Sequence, residues 1–134
     1  MKKLKEGFTL VEVLVVLAII AIIGTITVPT ANSLISQAKA TKGVTEMKSI
    51  QSAVLNYLIY NETIPDDISV QKLADEGYID AVPEKINVRK NSVDVLSIDI
   101  VYGSESPEYK YFLKIDSNML KDENNYPYLK VTLR

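Results

Sequence analysis

Polarity changes twice along this chain, and the changes divide it into three stretches. From Phe8 to Val28 the residues are apolar on every side, interrupted only by Thr9, Glu12, Gly24, Thr25 and Thr27. A helix with no polar face must be surrounded by lipid or by protein. Its 21 residues would span about 31 Å, the thickness of a hydrocarbon core. Polarity then rises and the apolar positions narrow to one face. Leu34, Ile35 and Ala38 open that stripe, and Met47, Ile50, Val54, Tyr57 and Leu58 continue it at helical spacing. Lys39, Lys42, Lys48, Gln51 and Asn56 fall on the opposite face, where Gly43 is also expected to meet solvent. A single helix from Phe8 to Asn61 would be roughly 80 Å long, well beyond a globular norm.

Gly24 and Pro29 interrupt the pattern. Proline has no N–H to donate and clashes with the preceding turn, so a kink or locally melted stretch is expected between them. Ile64-Pro65-Asp66-Asp67 then forms a turn. A short helix should follow from Ile68 to Glu76, capped by Asp67 or Ser69 and stopped by Gly77. The segment from Tyr78 to Pro83 leads into a loop. From Val93 onward the period becomes two. Leu96, Ile98, Ile100 and Tyr102 form one alternating run, Tyr109, Tyr111, Leu113 and Ile115 a second, and Leu129, Val131 and Leu133 a third. Their apolar face needs a cover, which the amphipathic half of the long helix supplies. The expected class is α+β, with one long N-terminal helix on a small antiparallel sheet of about three strands.

Composition narrows the chemistry. The chain has 134 residues, room for one small domain beside the apolar segment, and contains no Cys, His or Trp. Disulfides, thiol chemistry and His-centred catalysis are therefore excluded. No catalytic cluster, cofactor motif or metal site is expected, and an enzyme is not. The formal charge of −2 conceals a basic start, Lys2, Lys3 and Lys5 against Glu6, so the remainder is more acidic. That balance argues against a general nucleic-acid surface. The lysines ahead of the apolar run should stay cytoplasmic and send the rest of the chain outward. Asp116, Asn118, Asp122 and Glu123 could offer oxygen ligands to Ca²⁺, but they lack the glycine and closing glutamate of an EF-hand loop and read as a solvated turn.

The octet Lys5-Glu6-Gly7-Phe8-Thr9-Leu10-Val11-Glu12 is the most specific feature. A carboxylate inside a membrane-length apolar run costs about 2.5–3.5 kcal/mol on insertion scales. A secretory signal peptide would instead need a shorter apolar core and a small-residue cleavage site, and a plain membrane anchor would leave Glu12 unexplained. The segment resembles the amino terminus of type IV prepilins and of the related pseudopilins of secretion and DNA-uptake systems. That resemblance covers about residues 1–30 and implies a leader, residues 1–7, removed by prepilin peptidase between Gly7 and Phe8, with N-methylation of Phe8. It also implies that Glu12 is the assembly glutamate, that Pro29 is the helix-breaking proline, and that residues 8–28 form the transmembrane and filament-core helix below a head, residues 29–134.

Glu12 in a bundle of apolar helices would need a cation, and the Phe8 amine freed by cleavage is the one made within that zone. The resemblance further implies assembly with copies of itself and other pilins, an inner-membrane assembly platform, and residence in the lipid bilayer before assembly. The single-pass cytoplasmic membrane form, with its C-terminus outside, would give way to an extracellular or envelope-spanning filament. A pseudopilin of type II secretion or competence DNA uptake is the alternative, and a membrane-anchored binding module a lesser one.

Overall fold

The computed structural model describes residues 7–61 and 63–133. Seven elements follow one another: α1 (Leu10–Tyr60), α2 (Val70–Asp75), β1 (Ile86–Lys90), β2 (Ser97–Tyr102), α3 (Tyr109–Ile115), β3 (Leu120–Lys121) and β4 (Pro127–Thr132). They form two compact units, Met1–Ile35 and Ser36–Arg134. The first consists of the apolar part of α1. The second, the head, is an α+β unit in which the remainder of α1 packs on a four-stranded antiparallel sheet of order β1-β2-β4-β3.

The head is held together by one stripe of α1. Ala40, Val44, Met47, Ile50, Val54 and Tyr57 recur every three or four residues and are all buried. They meet Ile86 and Val88 of β1, Ile98, Ile100 and Tyr102 of β2, and Leu129 and Val131 of β4. Phe112 of α3 and Met119 complete this core, and Ile64, Ile68, Val70 and Leu73 extend it beneath α2. Burying each large aliphatic or aromatic side chain contributes about 1.5–3 kcal/mol, so this layer dominates the head's stability. The stripe begins at Ala40, not at Leu34. Leu34 and Ile35 are 59% and 52% exposed and belong to the first unit.

Gly43 also departs from its solvent-facing expectation, since it lies buried within the stripe. A Cβ there would come within 2.9 Å of the Tyr102 ring. Glycine is what allows α1 and β2 to approach so closely.

The sheet has four strands where about three are expected. β1 falls in a stretch read as loop, although its buried and exposed positions alternate as a strand requires. The run Tyr109–Ile115 is a helix and not a strand. It buries Phe112 while leaving Leu113 and Ile115 exposed. β3 occupies two residues of the polar stretch after it. α2 starts one residue after Ser69, whose hydroxyl accepts from the Lys72 N–H at 3.2 Å, so Ser69 is the cap. Asp67 instead holds the Lys72 ammonium at 2.8 Å. Gly77, at φ +80°, ends the helix in the left-handed conformation that glycine adopts without strain.

Every residue of β2 is buried, including those facing away from α1. On that outer face Asp99 sits opposite Arg89 of β1 and Lys130 of β4. Its carboxylate accepts from Asn91 Nδ2 at 3.1 and 3.0 Å, and Arg89 Nε lies 3.8 Å away. Buried polar groups need such partners. Among the described residues no buried side-chain nitrogen or oxygen is left without one.

Candidate functional site

Of the expected leader, only Gly7 lies among the described residues; residues 1–6 lie outside them. Gly7, Phe8 and Thr9 precede the helix, and Phe8 is 90% exposed. The Gly7–Phe8 peptide bond is therefore outside α1, whose backbone hydrogen bonds would otherwise have to open before a peptidase could bind it. Among the described residues, no atom beyond Gly7 and its chain neighbours lies within 4 Å of where a side chain at Gly7 would stand.

Glu12 turns back on the helix start. Its Oε2 accepts from the Thr9 backbone N–H at 2.7 Å and from the Thr9 hydroxyl at 2.9 Å. The Thr9 hydroxyl in turn accepts from the Glu12 N–H at 3.3 Å. This is a capping box, in which a threonine at the cap and a glutamate three residues on satisfy each other's free backbone donors. The single chain thus gives Glu12 local partners without burying it. Thr9 was not singled out from sequence, although the spacing Thr-x-x-Glu carries the signal.

From Leu10 to Val28 the large apolar side chains are all at least half exposed, apart from Val13 at 49%. α1 is long and apolar enough to cross a membrane. Helical structure continues through Gly24 and Pro29. Thr25, Thr27 and Thr30 donate their hydroxyls to the carbonyls of Ile22, Ile23 and Ile26 at 2.7, 2.8 and 3.1 Å. Such back-bonding satisfies polar groups that lipid cannot, and it also bends helices. Pro29 offers no N–H to the Thr25 carbonyl.

In the head, the acidic loop has other duties. Asp116 pairs with Lys48 at 2.9 Å. The Lys48 ammonium, with the Asn118 N–H, holds the Asp116 carboxyl below its usual range. Asp122 Oδ1 accepts from the N–H groups of Asn124 and Tyr126 at 3.0 and 2.9 Å, shaping the turn before β4. Among the described residues no three acidic side chains converge as a metal site would require.

Residues 2–28 match the family profile described as the prokaryotic N-terminal methylation motif, the prepilin-type cleavage and methylation segment. No solved structure matches the chain. The motif supports a type IV pilin- or pseudopilin-like protein, and the long helix on an antiparallel sheet is a pilin-like layout. They point to a structural protein, to processing by prepilin peptidase and to assembly with other pilins. The apolar helix is consistent with membrane anchoring.

Proposed function

We propose that this chain is the precursor of a structural subunit of a type IV pilus-like filament. Prepilin peptidase removes residues 1–7, the new Phe8 amine is methylated, and subunits leave the bilayer through the inner-membrane assembly platform to bundle through residues 8–28. The observation that carries this reading is the methylation motif at residues 2–28, joined to an apolar face no part of the chain covers among the described residues. On entering the bundle, Glu12 pairs with the Phe8 amine of a neighbour, neutralising both charges and fixing the axial register. Leaving one charge of such a buried pair alone costs about 3–5 kcal/mol. The stretch from Gly24 to Pro29 is where α1 opens or kinks when the fibre forms, because Pro29 already lacks one hydrogen bond.

The small, cysteine-free head favours a second reading, a pseudopilin of a type II secretion or DNA-uptake machine, with the same processing but a short envelope-confined fibre. Intact-mass measurement of the membrane or filament form tests the common part. Loss of residues 1–7 with one added methyl is expected, whereas a mature protein starting elsewhere overturns it. Imaging a tagged copy then separates the readings, since long surface fibres fit a pilus and short envelope-bound ones a pseudopilus.

A further inference from the structure

Two surfaces at opposite ends of the head remain unused by this reading. β1 runs from Ile86, opposite Tyr102, to Lys90, opposite Ile98. Gly43 of α1 lies against Tyr102 at the first end. At the other, Lys90 Nζ reaches the carbonyl of Ile64, just beyond the C-terminus of α1, at 3.2 Å. The β1–β2 loop therefore shares an end with the C-terminus of α1. The surface beside Gly43 is about 25 Å away, the rise from Gly43 to Tyr60.

Half of that loop's six residues are exposed apolar side chains, where hairpin loops are ordinarily polar. Val93, Val95 and Leu96 are 92%, 63% and 56% exposed. It is also braced: Asn91 Oδ1 accepts from the N–H groups of Val93 and Asp94 at 2.9 and 2.8 Å, and Asp94 pairs with Lys130 at 2.9 Å. A projection already fixed in shape loses little further entropy on docking. At the far end, a groove of about 920 Å³ runs between α1 and the segment 78–85. Gly43, Ile50 and Tyr102 line it on one side, and Ile79, Val82 and Pro83 on the other. The six charged residues along it are three lysines and three carboxylates, so the groove carries no net charge.

We infer that Val93, Val95 and Leu96 of one copy insert into this groove on a second copy. This contact rests on the filament reading, which supplies the occupant. Copies drawn from one bilayer point the same way, so an antiparallel pair exchanging loop for groove is excluded. A parallel copy displaced along the axis by about the length of the head's helix brings one head's loop to the next head's groove. A contact joining two different surfaces of the same chain propagates into an open fibre.

The test uses the full chain in cells that make the filament. Because the chain has no cysteine, a variant carrying Val82→Cys and Val95→Cys can cross-link only through those positions. Oxidised filaments should give a ladder of covalent multimers, absent from either single variant. Val93→Asp and Leu96→Asp, both at exposed positions, should cut filament yield at least ten-fold with membrane level and processing unchanged. Filaments of the paired variant without a ladder, cross-links to a different protein, or undiminished yield with Val93→Asp would overturn the contact alone. If the cysteine pair prevents assembly, the aspartate variants decide. A wild-type chain that is processed but never forms a fibre overturns the filament reading instead.

Discussion

Gly43 of α1 stands so close to Tyr102 of β2 that a Cβ would lie 2.9 Å from Tyr102 Cε2 and 3.0 Å from Phe112 Cε1. Neither ring can step aside easily, because both are buried and their centroids are 4.9 Å apart. Gly43→Ala gains about 1 kcal/mol of helix propensity, yet overpacking a fixed core costs about 1–3 kcal/mol. The variant should therefore melt below the wild-type head, by up to about 2 kcal/mol of lost stability. A higher melting temperature would show that the rings yield freely.

The capping box allows the charge of Glu12 to be separated from its hydrogen bonds. Glu12→Gln keeps an acceptor for Thr9, since glutamine also serves at this position, but abolishes the charge. Glu12→Ala removes both. Each variant should reach the membrane and be cleaved normally, and each should yield little or no filament. Wild-type fibre from Glu12→Gln would mean that capping, not charge pairing, is what assembly requires.

Acid should weaken the head partly through Asp116. Its carboxyl is held low by Lys48 and by the Asn118 N–H, whereas an unfolded aspartate titrates near about 3.9. The stabilisation is complete above that value and is lost as pH falls through the lower folded value. The gap in melting temperature between wild type and Asp116→Asn should accordingly be widest near neutrality and close in strong acid. A gap that does not change with pH would remove the ion pair as its cause.

Asn91 ties a buried carboxylate to a surface loop. Asn91→Ala deprives Asp99 of its donor and leaves the Val93 and Asp94 N–H groups without their acceptor. A loss of about 1–3 kcal/mol is expected from chemical denaturation, with an unchanged slope if the unfolded ensemble is unaffected. A change within a few tenths would mean that water replaces the amide at no cost.

Residues 36–134 should form a soluble monomer with a cooperative melt and mixed helix and strand circular dichroism, because the core stripe from Ala40 to Tyr57 lies wholly within them. Aggregation, or a gradual non-cooperative loss of signal, would show that the head depends on what precedes it.

The parts of the fold that could be read in advance are those with many periods of pattern. The long helix, its core face from Met47 to Leu58, and the inward-facing Ile98, Ile100, Tyr102, Leu129 and Val131 all follow from repeated spacing. Short elements defeated it. Tyr109–Ile115 covers only two helical turns, too few to separate a period of two from one of 3.6, and its aromatic content favours strand. β1 offers only Ile86 and Val88 as apolar positions. Gly43 has no side chain to register in any hydrophobic pattern, so its place in the stripe was invisible. At the amino terminus Gly7, Phe8 and Glu12 were legible through their motif. Thr9 was not, since its capping role depends on the helix starting at Leu10, and a boundary is not fixed by an apolar pattern.

Among the described residues, no member of the buried core comes from before Ala40. Selection therefore acts on the two stretches by different criteria. On the proposed filament reading, a substitution between Phe8 and Ile35 answers to lipid, peptidase and neighbouring tails, while one in the core from Ala40 onward answers first to the head's own packing. The head's surface can therefore change without touching the tail, and a tail residue can change without disturbing the head's core.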